Sequence, residues 1–387
     1  MQHTEKLYTS RFATSVTCRL EEPWCALLNF SEFCGENQTL FALAVLTASG
    51  VSFAQSSVTI SGTFDPSVAN QKITYTNGNS VSQNAIYNNA QGTSQVTFKG
   101  VEDLGGGLKA SFLLENDFST RTDATVAGGG TTALATQSQT PKYGVGNFGA
   151  LGGEQYLGLE GGFGSLKVGA PNTPTLTTQS ASNPFSTKIG GGFGVVNSGK
   201  VRNSNTVMYS TPAFGGFSAA AAFSFKSNVD ANPTAGTIAE VGSITDIGLS
   251  YANGPLAAGF SSYKLAATAA AVSKTDNNVY VTYDMGVAKL GAGYYTQKQT
   301  AVADAKGYNV SATVPLNANL SLLANYGKLD SALASNKDAT IAAIGLKYTL
   351  SKRTSVYARY VDQKNDNAAA VTAAKVQTTL VGMQHNF

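Results

Sequence analysis

Apolar and polar residues alternate with a period of two in segment after segment, and no other feature constrains the fold as strongly. Val58, Ile60, Gly62 and Phe64 share one face. Leu108, Ala110, Phe112 and Leu114 oppose Lys109, Ser111 and Glu115, and Leu320, Leu322, Ala324 and Tyr326 oppose Ser321, Asn325 and Gly327. Period two is the signature of a strand whose two faces meet different surroundings. Such segments begin near residues 57, 93, 107, 154, 164, 204, 216, 243, 255, 276, 287, 306, 319, 339, 353 and 375. The connections between them alternate in length. Glu102–Gly106, Gly161–Gly164, Pro212–Gly216, Asn253–Pro255, Asp284–Gly286, Pro315–Asn317 and Ser351–Lys352 are short. Asp65–Gly92, Ser119–Gly153 and Pro171–Arg202 are long and polar, with shorter loops near 230, 270, 301, 332 and 367.

Short turns at one rim and long loops at the other are the pattern of a barrel that crosses a membrane. In lipid every backbone N–H and C=O needs an internal partner, so a spanning sheet must close on itself. An even strand number brings both chain ends to one rim, where the first and last strands can pair. These features predict an all-β fold, a sixteen-stranded antiparallel transmembrane β-barrel. A soluble β-sandwich would alternate in the same way, because the period does not say which face is buried.

Pro171–Arg202 contains Pro171, Pro174, Pro184 and the run Gly190–Gly194, and shows neither helical nor strand periodicity. A structureless stretch of this length within a domain points to a functional loop. The sequence predicts a loop folded into the bore. It carries Lys188, Lys200 and Arg202, and no Asp or Glu occurs between Glu160 and Asp230. A solvated surface loop is the plainer alternative. Parity places Lys99, Lys109, Glu115, Glu154, Glu160, Lys167, Lys347 and Arg359 on the polar, pore-lining face of their strands.

Residues 1–54 differ from the rest. Phe41–Leu46 is a short apolar run, and Ser52-Phe53-Ala54 resembles a small-x-Ala cleavage site before Gln55. Residues 1–54 therefore read as an upstream extension and signal peptide, with a barrel over 55–387, although the basic n-region expected of a leader is missing. All three cysteines and the single tryptophan fall in 1–54. Without that segment the chain keeps 23 basic and 18 acidic residues, a net charge of +5, too mild to argue for nucleic acid. No thiolate metal site is possible there, and no cofactor is implied. The one remaining histidine, His385, has the parity of the apolar face, so no catalytic residue is assigned.

Several blocks resemble the trimeric general porins of Gram-negative β-proteobacteria: SSVTISG at 56–62, FKGVEDLGGGLKASFLLE at 98–115, YLGLEGGFGSLKVG at 156–169, NTVMYSTPAFGGF at 205–217, KYTLSKRTSVYARY at 347–360 and VGMQHNF at 381–387. The resemblance spans 55–387. It implies a homotrimer in the bacterial outer membrane, set among its lipid and lipopolysaccharide, with the third loop folded inward. Small outward residues such as Ala219, Ala221 and Ala292 agree with barrel-to-barrel packing. The terminal Phe387 resembles the signal read by the barrel assembly machinery. The family tends to carry arginine where this chain has Gln95, Gly153 and Ala170, and of these only Gln95 shares the polar parity of Lys99. The expected function is passive diffusion of ions and small hydrophilic solutes, with a modest anion preference. A barrel devoted to interaction, whether adhesion, phage reception or anchoring, is the alternative.

Overall fold

In the computed structural model the strands form one closed antiparallel sheet. The structure describes residues 57–118, 152–232, 237–268, 271–300, 302–331, 338–366 and 373–387. The cleavage residues Ala54 and Gln55, and the loop 119–153 apart from its last two residues, lie outside them.

The first two staves are each built from two strands: β1 (Ser57–Phe64) runs into β2 (Pro66–Tyr75), and β3 (Ser80–Asn88) into β4 (Gln95–Gly105). Around the wall follow β5 (Leu108–Asp117), β6 (Gln155–Gly161), β7 (Gly164–Ala170), β8 (Thr206–Ser210) and β9 (Phe217–Ser224). A separate hairpin, β10 (Ser227–Asn232) with β11 (Thr237–Val241), stands in the loop before β12 (Ile244–Asn253). The rest are β13 (Leu256–Leu265), β14 (Lys274–Asp284), β15 (Lys289–Gln299), β16 (Val302–Pro315), β17 (Leu320–Ser331), β18 (Ala339–Thr349), β19 (Thr354–Asn365) and β20 (Ala373–Asn386). The wall thus has sixteen staves, each paired to its neighbour in sequence.

Closure joins the ends of the chain. Thr63 lies opposite Asn386, Phe64 opposite His385, and the ladder continues from Ser67 opposite Gly382 to Thr74 opposite Lys375. The last residue seals the seam, because Gly62 and Phe387 exchange both backbone hydrogen bonds at 3.0 Å. The Phe387 ring lies where any side chain at position 62 would stand.

Burial decides between barrel and sandwich. Val58, Ile60, Leu157, Leu249 and Val381 are all more than half exposed on the outer face. Ser111, Ser261, Asn278, Asn309, Asn325 and Thr378, of the opposite parity, are buried inside. A soluble sandwich would reverse this. An apolar exterior over a hydrogen-bonded polar interior is stable only where lipid meets the outside.

Two expectations change. Asp65–Gly92, read as a loop, is mostly the β2–β3 hairpin, which completes the first two staves of the wall. Its outward residues Asn70, Lys72 and Asn84 are polar, which weakened the strand signal. Between its ladder and that of β1 and β4, six residues, 89–94, stand against two on the first stave. This bulge is held by Asp65. Its carboxylate accepts from the backbone of Gln91 (2.6 Å) and Gly92 (2.8 Å) and from the Tyr357 hydroxyl (2.5 Å).

Candidate functional site

Pro171–Arg202 folds against the inner face of the wall. Its neck is closed by a bridge between Asn172 and Arg202 and by the Thr173 amide donating to Val201 at 2.9 Å. The second changed expectation lies here: a helix, α1 (Pro174–Ala181), where no helical period was found. Thr173 caps it by accepting from the Leu176 amide at 3.0 Å, and proline starts it. Its buried side is polar, with Thr175, Thr178 and Gln179. A helix facing a hydrogen-bonding wall has no apolar stripe for periodicity to detect.

The wall receives the loop through a series of paired polar groups. Thr175 donates to Asp246 from its amide (3.0 Å) and its hydroxyl (2.7 Å). Gln179 donates to Asn278 at 2.9 Å. Ser182 donates to Asn309 at 2.9 Å and meets the Tyr295 hydroxyl at 2.8 Å, while Asn325 donates to the Gly190 carbonyl at 2.9 Å. Phe185, Ile189 and Val196 then bury themselves against Ile341, Ala343 and Leu323. Inward glycines make the close approach possible. A side chain at Gly291 would run into the Ser182 carbonyl, and one at Gly307 into that of Val196.

The basic residues of the loop meet different surroundings. Arg202 stands 4.0 Å from Glu115 and 3.6 Å from Asp117, and donates to Asn172 at 3.1 Å and to the Gly152 carbonyl. Lys188 donates to Thr93 of the bulge. The Lys200 ammonium lies 5.2 Å from the centre of the Tyr263 ring. Burial pushes both lysines below the ordinary lysine range, and nearby carboxylates, Asp117 and Asp65 for Lys188 and Asp276 for Lys200, partly offset it.

The strand residues fall on the face their parity indicates. Glu154 accepts from the amide and side chain of Asn172 and lies 3.9 Å from Lys167, which sits 4.1 Å over the Tyr156 ring. Glu160 accepts from Ser111 at 2.8 Å. Lys99 and Lys109 are exposed and Lys347 is half-buried. Gln95 donates to Glu115 at 2.6 Å, and a side chain at Gly153 would collide with Glu115. Arg359 differs from a free pore-lining charge. It is 4% exposed, donates to the carbonyls of Ala90 and Ile189, and lies 4.5 Å from the Phe185 ring. It joins bulge to loop rather than facing solvent. Sequence reasoning missed the inner acids Asp65, Asp117, Asp246 and Asp276. A scan of all charges at inward parity would have found Asp246 and Asp276, which lie at the parity opposite to the outward Ile247 and Val279 of their strands. His385 is exposed on the outer face and meets Thr354 at 2.9 Å.

Comparison with known proteins gives the same architecture. A family described as Gram-negative porin matches residues 39–368. The chain is 31% identical to outer membrane porin protein 32 of Delftia acidovorans over 90% of this chain and 99% of that one. It is 28% identical to an outer membrane porin protein of Bordetella pertussis, over 90% and 100% respectively. Its structure matches an anion-selective porin from Comamonas acidovorans with a TM-score of 0.68 at 26% identity, covering 86% of this chain and all of that one. A closed barrel, a polar bore and a loop seated within it make this chain a member of the Gram-negative porin family, a water-filled channel of the outer membrane.

Proposed function

We propose that the channel passes ions and small hydrophilic solutes by passive diffusion with a modest anion preference, set at the loop. The observation that carries this reading is that Lys188, Lys200 and Arg202 stand inside a closed polar barrel on a loop without acids. The preference is modest because the wall answers part of that charge: Glu115 and Asp117 flank Arg202. Fixed charge in a narrow bore biases ion entry, and salt screens it over about 8–10 Å near physiological strength. In planar bilayers the reversal potential under a KCl gradient should carry the anion-selective sign and shrink as salt rises. Changing Lys188, Lys200 and Arg202 together to Gln should move it toward cations. Clear cation selectivity of the unmodified channel would refute the assignment, as would an unmoved potential in the triple variant.

The channel works as a homotrimer in this reading. The strands β6, β7 and β8 have 7, 7 and 5 residues, whereas β16 to β20 have 11 to 14. A strand needs about 9–11 residues to cross the hydrocarbon, so the short wall suits contact with another copy. Ala219 and Ala221 on β9 adjoin that wall, but Ala292 on β15 lies beyond three further strands. The longer staves would face lipid and, in the outer leaflet, lipopolysaccharide. Phe387 at the seam would be read by the barrel assembly machinery, and export would begin with cleavage between Ala54 and Gln55. N-terminal sequencing of outer-membrane material tests the last point; a start at Met1 would refute it.

A further inference from the structure

Behind the loop, between residues 194–198 and strands β14 to β17, lies a cavity of about 260 Å³. Lys274, Asp276, Thr296, Gln297, Asn197 and Ser198 supply its polar lining. Asp276 is 1% exposed, and neither of its carboxylate oxygens has a hydrogen-bond partner. Two of its polar neighbours are committed elsewhere. Asn278 donates to Ser261 at 3.1 Å and accepts from Gln179, and Tyr295 is taken by Ser182 and Asn309. A buried carboxylate without a partner is costly enough to demand one.

The surroundings narrow what that partner is. Calcium takes six to eight oxygens, usually with several carboxylates. Among the described residues that line this cavity Asp276 is the only carboxylate, Lys274 lies on the same strand face, and Lys200 is close enough to respond to the Asp276 charge. A second positive charge of a divalent ion would be repelled. Lys274 and Asp276 are two residues apart on one face of β14, so their backbones are about 7 Å apart along the strand. An acid and a base at that spacing match a small molecule carrying both charges. The cavity is also smaller than the roughly 300–1,000 Å³ of sites for drug-sized ligands.

We propose that this cavity binds a small zwitterion of the α-amino-acid class, with Asp276 receiving the ammonium and Lys274 the carboxylate. Because residues 194–198 of the loop form one side, an occupant would tie the loop to the wall beside Lys200. The test uses the detergent-solubilised full barrel and reads binding, not conduction, so it stands apart from the channel reading. L-Alanine, methylammonium, acetate and calcium are titrated separately by calorimetry. L-Alanine should bind saturably and more tightly than either single-charge probe. Asp276→Asn and Lys274→Gln should each weaken it about tenfold or more, the size expected for a lost charge-assisted hydrogen bond. Should Asp276→Asn fail to give a heat-modifiable barrel, Lys274→Gln alone decides. No saturable L-alanine binding, unchanged affinity in the folded variants, or preference for calcium or for one single-charge probe would each overturn the proposal.

Discussion

Arg359 donates from one nitrogen to the carbonyl oxygens of Ala90 and Ile189, so a single guanidinium spans from the wall bulge to the loop. Charged donors to buried carbonyls contribute about 1.5–3 kcal/mol each, and removing one leaves its acceptors unpaired. Arg359→Ala should therefore loosen the loop while the barrel still closes. The expected result is faster proteolysis within 171–202 and noisier open-channel current, with the barrel's heat-modifiable mobility retained. A loop as resistant as in the parent protein would show that the apolar contacts of Phe185 and Ile189 suffice. The two loop lysines give a pH prediction. Burial lowers both pKa values, so their charge is present below the lowered values and lost as pH rises through them. The anion preference should fade at a pH below the ordinary lysine value of about 10.4. Reversal potentials across an alkaline pH series would show this, and a profile flat up to the ordinary lysine range would contradict it.

At the scale of elements, the loop and its bed fit through backbone contact. Gly291 and Gly307 leave room for the carbonyls of Ser182 and Val196 on adjacent strands, so the loop lies closer than side chains would permit. Gly307→Val should push the loop away from β16 into the bore. Single-channel conductance should fall, while the outer face of the strand is unchanged. Equal conductance would mean that the loop relaxes along the wall instead of into the lumen. The inward glycines were visible in the sequence as members of the polar face. Their purpose was not, since a glycine on a strand can mark a bulge, a bend or a close approach, and only the position of the loop selects among these.

At the scale of the molecule, the proposed trimer contact rests on the short wall of β6 to β8. Its outward Leu157, Leu159, Leu166 and Val168 are exposed in the single barrel. Val168→Lys should strip subunits apart, because a charge there would be buried between copies. Leu249→Lys on the taller β12 would instead meet lipid, where the cost depends on depth and reaches about 2–4 kcal/mol. Unheated gel mobility distinguishes them: the first variant should lose the slow oligomer band and the second should keep it. Loss in both variants or in neither would remove the short wall from the interface.

Alternation determined the strands wherever their outward face is apolar, because a pleated backbone sends successive side chains to opposite faces; β2 and β3, with polar residues outward, escaped it. The count of sixteen staves, most of their starting points, the short turns and the inward parity of Lys99, Glu115, Glu154, Glu160 and Lys167 were legible, but the second stave begins at Ser80, inside the stretch read as a loop, and not near 93. Parity names a face but not the contents of the space beyond it. Only the tertiary structure placed Arg359 under the loop rather than in water, and only it left Asp276 beside a cavity. It also brought Arg202 to Glu115 and Asp117, two acids of β5 far earlier in the chain. Those environments come from a loop crossing the bore to strands distant in sequence. No local period records where such a loop will land, because its contacts are set by the closed wall it meets.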